Sequence, residues 1–219
     1  YNGNDAQRYL KLNKAAGGAG KTEQNNLEFL TRTALDAQLS SDQILKAARE
    51  HAPKTDYPRT PLGNDLRTIS AMIAAGLPTR VYYAGLGGFD THANQRGRHD
   101  GLMLTFADAI KAFVADLKAQ KNDQRVLIMT FSEFGRRVAQ NASGGTDHGA
   151  AAPMFLIGRN LKPGLVGKHP SLDPKDLVGG DLRFGIDFRS VYATILEKWL
   201  TTASKPVLGQ QFDLLPVLG

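Results

Sequence analysis

Two short glycine-flanked segments concentrate the residues able to do chemistry. Gly87-Gly88-Phe89-Asp90-Thr91-His92 and Thr146-Asp147-His148-Gly149 each carry a carboxylate and an imidazole within three positions. A carboxylate oxygen and an imidazole nitrogen this close, on tight turns, suit a divalent ion such as zinc. Glycine lets the backbone bend sharply and lets a ligand approach it closely. Asp90, His92, Asp147 and His148 are therefore the candidate metal ligands. Taken singly, each pair also reads as a turn-forming aspartate beside a surface histidine. Two such pairs, each near an apolar run, favour the metal reading.

The other candidates are fewer. The chain has five histidines and no cysteine, so thiolate metal sites, disulfides and cysteine nucleophiles are excluded. His51 reads as the solvated end of a helix, His99 as a surface helix start and His169 as a loop residue. Arg136 and Arg137 could hold an anion, because guanidinium forks match phosphate and carboxylate geometry; a salt bridge at the loop is the plainer reading. Ser132 has no histidine near it in sequence to act as its base. The run from Ala15 to Thr22 has the look of a phosphate-binding loop but no strand before it, and reads as a flexible loop.

The elements that must position these residues follow from periodicity. Apolar residues at helical spacing predict helices over 25–39, 42–51 (with Ser41 as cap), 64–77, 101–120 and 187–200. The β-branched and aromatic run 79–84 predicts a strand, the apolar run 125–131 a buried one, and 153–158 a short one. The stretch 132–148 reads as a long loop, 159–186 as loop-rich, and 201–219 as a tail packed on the body. Helix, strand, helix, strand through the middle of the chain predicts an α/β fold with a mostly parallel sheet. Ligands in such folds bind beyond the carboxyl ends of the strands, where both candidate loops would meet. The 219 residues suffice for one domain, with 1–60 as a helical flank.

The net charge of +6 is scattered. No basic run interleaves with aromatics, so nucleic-acid binding is not expected, and an anionic substrate suits the sign. No apolar run is long enough to span a bilayer. Tyr1 is not a natural start, and the chain reads as the C-terminal portion of a longer precursor.

Four signatures in order carry a family resemblance: Gly-Gly-Phe-Asp-Thr-His at 87–92, Ser-Glu-Phe-Gly-Arg-Arg at 132–137, Gly-Thr-Asp-His-Gly at 145–149 and Asp-Phe-Arg at 187–189. From about residue 25 onward the chain resembles the bacterial domain of unknown function 1501 family, which is related to the alkaline phosphatase and sulfatase superfamily. The resemblance implies a three-layer α/β/α sandwich and metal-dependent hydrolysis of phosphate or sulfate esters. It also implies an exported protein of the periplasm or cell envelope. Asp90 and His92 are similar to the superfamily's Asp and His after one strand. Ser132-Glu133-Phe134-Gly135 is similar to its Asp-His-Gly segment, with Glu133 at the aspartate and Phe134 where the histidine should be. His148, before the strand starting at Pro153, resembles a further ligand. An alternative mapping equates Thr146-Asp147-His148-Gly149 directly with Asp-His-Gly.

The ligand set implied is Asp90, His92 and His148, with Asp147 and Glu133 as additional ligands or supports and Arg136 on the anion. Zinc is the first expectation, manganese or iron the alternatives. No residue matches the superfamily's Ser or Thr nucleophile, so the catalytic residue stays open. So do the substrate, the oligomeric state and the rival reading, an exported binding or assembly protein that keeps the fold without turnover.

Overall fold

A computed structural model describes residues 21–219. The glycine-rich run at 15–20 lies outside the described residues.

The first described element is one helix, α1 (Lys21–Glu50), where two were expected. Ser40 donates back to the carbonyl of Asp36 at 2.8 Å, and Gln38 donates to Asp42 at 3.0 Å. These bonds carry the helix through the Ser40-Ser41 pair, so Ser41 is an interior residue rather than a cap. Helix α2 (Pro61–Ala74) begins three residues earlier than its apolar pattern. Thr60 accepts from the Gly63 amide at 3.1 Å, and Pro61 sits at the first helical position, where its missing N–H costs nothing.

Helix α3 (Gln95–Ala119) is the longest element of the central body, and it starts six residues before the expected 101. Its first turn has no side-chain cap. Instead the amides of Asn94 and Gln95 donate to the carbonyls of Ser143 and Gly144, at 3.1 and 3.0 Å. A second loop therefore supplies the cap, which no local sequence signal announces.

The core lies between α2 and α3. Leu62, Leu66 and Ile73 of α2 pack with Ala109, Phe113 and Leu117 of α3. Tyr82, Ala84, Leu86, Val126 and Ile128 close it from the other side. In residues 81–86 burial alternates: Tyr82, Ala84 and Leu86 face the core while Val81 and Tyr83 are exposed. That is the period-two pattern of a strand. Yet residues 79–84 are extended without ladder hydrogen bonds among the described residues, so the expected strand is not formed as one.

The sheet also departs from expectation. Of the run 125–131 only β1 (Ile128–Met129) pairs, and its partner is β4 (Leu156–Ile157), antiparallel, with Ile128 opposite Ile157. The stretch 132–148, expected to be loop, folds into an antiparallel hairpin of β2 (Gly135–Gln140) and β3 (Thr146–Gly149). Arg136 faces His148 across it, and the register shifts between Arg136 and Gln140. The fold is a mixture of helix and sheet, as expected. The mostly parallel sheet of a three-layer sandwich is not what these strands make: both pairs among the described residues are antiparallel. Periodicity reports which side chains are buried. It does not report which backbone a strand pairs with, nor in which direction.

Beyond β4 a short 3₁₀ turn (Pro174–Asp176) interrupts the loop-rich stretch. Helix α4 (Phe188–Thr194) is capped by Asp187, which accepts from the Arg189 amide at 2.8 Å, and it widens into a π turn (Ile195–Trp199). A last turn, α5 (Lys205–Leu208), precedes the tail. The tail packs on the body as expected: Leu215 donates to Thr194 Oγ1 at 2.8 Å, and Val217 is buried.

Candidate metal centre

The loop 87–94 leaves the extended run just before α3, and the hairpin β2–β3 lies beside it. Their contact is made at Gly145. A Cβ there would lie 2.2 Å from the carbonyl carbon of His92. Only glycine lets the two backbones come so close. Asn141 then ties them together. Its side-chain oxygen accepts from the amides of Ser143 and Gly145 at 3.0 Å each. Its nitrogen donates to the His92 carbonyl at 2.9 Å and to Asp147 Oδ1 at 3.3 Å. Arg136 bridges the same loops from beneath, donating to the carbonyls of Thr146 (2.6 Å) and Phe89.

Thr91 is 1 % exposed, while its neighbours Asp90 and His92 face solvent. A buried residue between two exposed ones aims both functional side chains outward on the same turn. On β3, His148 faces outward towards them. Three ligand atoms meet as a result. His148 Nε2 lies 2.8 Å and His92 Nε2 2.9 Å from Asp90 Oδ1, and the two Nε2 atoms are 3.3 Å apart. With metal–nitrogen bonds of about 2.0–2.1 Å, the edge of a tetrahedral site is about 3.3 Å. The two nitrogen–oxygen distances are those of hydrogen bonds.

Asp147 stands behind this trio. Its Oδ1 is 3.3 Å from His92 Nδ1, the ring nitrogen that does not face the cluster. A carboxylate on the far nitrogen of a ligating histidine holds the ring and its tautomer. Both carboxyls sit below the usual carboxylate range. For Asp90 the His148 contact is the main cause, helped by the positive field of His92, His148 and Arg136. For Asp147 the Asn141 hydrogen bond comes first, then His92. Each is thus held as the anion that a cation would need.

Of the residues singled out from the sequence, Asp90, His92 and His148 converge, and Asp147 supports them. Glu133 is exposed and outside the converging group. Arg136 lies 3.6 Å from Asp90, with its guanidinium already on two backbone carbonyls. Arg137 reaches away to Gly179 and, at 3.4 Å, to Asp181. His99 meets the edge of Phe89, and His169 Nδ1 lies 2.7 Å from the Pro170 carbonyl. Two participants were missed in the sequence. Asn141 could have been suspected, since it opens Asn-Ala-Ser-Gly-Gly, a run rich in turn-forming residues. Phe134 had been read only as a lost ligand. Its ring stacks on His148, centroids 3.9 Å apart and planes 6° from parallel.

The cluster sits on the open surface. A cleft of about 710 Å³, lined by residues that include Val114, Leu117, Val126, Ile128 and Ile157, contains none of these ligands. Three nearby hydroxyls are engaged elsewhere. Ser132 donates to the Phe134 carbonyl at 2.9 Å, Thr146 to Gln95 at 3.0 Å, and buried Thr91 to the Phe89 carbonyl at 3.3 Å.

Fold and cluster together define a mixed α/β protein with a surface Asp-His-His site able to hold a divalent ion. The profile of the family described as "Protein of unknown function (DUF1501)" matches residues 5–209, and the chain belongs to that family. Comparison with curated proteins and with solved structures gives no match.

Proposed function

We propose that this chain is a metal-binding, hydrolase-like domain acting on anionic esters of the phosphate or sulfate type, akin to the alkaline phosphatase and sulfatase superfamily. The observation that carries the proposal is the convergence of Asp90, His92 and His148 from two separate loops. The donor set fits a divalent ion: one carboxylate oxygen and two imidazole nitrogens are the hard and borderline ligands that zinc, manganese or iron accept. Three protein ligands also leave a coordination position free, as catalytic rather than structural zinc sites do. When bound, the ion would act as a Lewis acid on a phosphoryl or sulfuryl oxygen.

The chain's own residues do the rest. Asp147 orients His92, and Asn141 orients Asp147. Arg136 keeps the loops together and adds positive charge 3.6 Å from Asp90, which favours an anionic substrate. Because the hydroxyls of Thr91, Ser132 and Thr146 are engaged, attack falls to water in this reading. Location in the periplasm or cell envelope belongs to the same proposal, on resemblance alone.

The test is turnover of p-nitrophenyl phosphate and p-nitrophenyl sulfate with added Zn²⁺, Mn²⁺ or Fe²⁺. Metal-dependent hydrolysis that His92→Ala lowers at least about 100-fold, as loss of a group required in the transition state does, is the expected result. Metal binding without turnover of either ester favours the second reading, a binding or assembly domain. The engaged hydroxyls and the open surface position support that one.

A further inference from the structure

The two imidazoles of the cluster are held by different means. His92 has a carboxylate on its far nitrogen, whereas no such carboxylate is paired with His148 Nδ1 among the described residues. His148 is on an exposed strand, with its side chain 47 % accessible. An exposed ring of this kind would ordinarily turn about its side-chain bonds. Yet it lies flat on Phe134, at 3.9 Å and 6°.

We propose that Phe134 is a positioning residue for the metal site, fixing the plane of His148 so that Nε2 points at the ion. The proposal rests on the metal-binding reading above. Three observations carry it. The stack is nearly parallel, and a parallel neighbour resists tilting of the imidazole out of that plane. The backbone after Phe134 is fixed: Gly135 is buried, and a Cβ on it would lie 1.8 Å from the Ala151 carbonyl oxygen. The base of the stack is thereby anchored to the chain just beyond β3. Arg136, opposite His148 in the hairpin, places its guanidinium carbon 4.9 Å from the Phe134 centroid. The aromatic ring is thus held on the ligand side of the hairpin by its own neighbours.

The stack also suits the bound state. A ligated imidazole donates electron density to the ion and becomes electron-poor, and an electron-rich phenyl face packs well against it. Phe134 is therefore more than a filler where a ligand is wanting. It orients the His148 ring, as Asp147 orients that of His92, without setting its tautomer.

The test uses Co²⁺ and Zn²⁺ with the whole chain. Affinities are measured by competition with a chromophoric chelator, and the visible spectrum of bound Co²⁺ is recorded. Phe134→Leu is expected to weaken both ions about 10–100-fold, the usual effect of losing a group that orients a ligand, and to alter the Co²⁺ spectrum. Phe134→Tyr, which keeps the ring, is expected to restore affinity and spectrum. In the unaltered protein, the ring protons of His148 should resonate upfield of an unstacked imidazole, a reading that needs no variant to fold. Unshifted His148 protons overturn the proposal. So does wild-type affinity in Phe134→Leu. If the unaltered protein binds neither ion, the metal reading itself fails and takes this proposal with it; binding abolished by His148→Ala but untouched by Phe134→Leu sinks the positioning role alone.

Discussion

Asp90 is the residue on which the cluster turns, because its Oδ1 faces both Nε2 atoms. Its carboxyl and that of Asp147 are both depressed, chiefly by the His148 contact and the Asn141 hydrogen bond respectively. A group whose folded value is lowered binds its proton less readily when folded. Its contribution to stability is present above the unfolded value near 3.9, and is lost as pH falls through the lower, folded one. Carbon-detected NMR titration should therefore show the Asp90 and Asp147 carboxyls titrating below ordinary aspartates. Their exposure (62 % and 56 % of the side chains) means that salt should shrink the effect. Titration at the ordinary value would show that the contacts do not persist in solution. At this scale the sequence was informative: residue type and spacing pointed to all four of Asp90, His92, Asp147 and His148. Spacing could not show that Asp147 sits behind His92 rather than within the converging trio, because that depends on which ring nitrogen faces which oxygen.

At the scale of elements, the loops are fixed by helix α3 as much as by their own turns. The carbonyls of Ser143 and Gly144 cap its first amides, so the turn of the hairpin and the helix start are one structure. Gly145→Ala should break it, since the added methyl would meet the His92 backbone at 2.2 Å. Overpacking of this kind costs about 1–3 kcal/mol. Urea denaturation should show a loss of that size together with loss of metal affinity; unchanged stability would contradict the close approach. Deeper in the body, Asp116 of α3 is completely buried and accepts from the Lys54 amide, Tyr57 and Ser70 at 2.7, 2.9 and 2.6 Å. Burial pushes the Tyr57 phenol up, so it stays a donor at every physiological pH. Asp116→Ala leaves three donors without their acceptor, and should cost about 2–4 kcal/mol in the same experiment, with the metal cluster intact. Asp116 falls in a helical pattern as one polar residue among apolar ones, so neither its burial nor its partners were visible in the sequence. The early start of α3 escaped for a related reason, since its cap comes from residues about fifty positions away.

For the whole molecule, the apolar stripes of α2 and α3 located the core, while the run 125–131, expected to be buried, is only half-buried with Phe131 exposed. Residues 79–84 show strand-like alternation, with Tyr82 and Ala84 inward, but form no ladder. The run 125–131 contributes only Ile128 and Met129 to an antiparallel pair. Val81, Tyr83 and Phe131 are exposed, the last two with rings 6.0 Å apart. A parallel sheet was inferred from the order of elements, which is a statistical regularity of connections and not a force on any residue. The hairpin that carries His148 was hidden because 135–149 has the glycine and asparagine content of a loop. Its pairing depends on cross-strand neighbours rather than on local preference. The family-level signatures did not depend on these expectations, because they are matched by residue type and spacing; two of the four lie in the hairpin itself.

Coupling between site and fold gives the last prediction. An ion that binds only the folded state at about 100 times its Kd adds about 2.7 kcal/mol to stability. Zn²⁺ should raise the thermal midpoint of the unaltered chain, and a chelator should reverse the rise. Asp90→Ala should abolish the response.

The most direct measurement is elemental analysis of the purified chain after loading with Zn²⁺ and removal of free ion. About one ion per chain, as a site with this ligand set holds, should be found in the unaltered protein and lost in both Asp90→Ala and His148→Ala. Equal loading of the variants, or no bound ion after reconstitution with zinc, manganese or iron, would contradict convergence of the two loops on a metal.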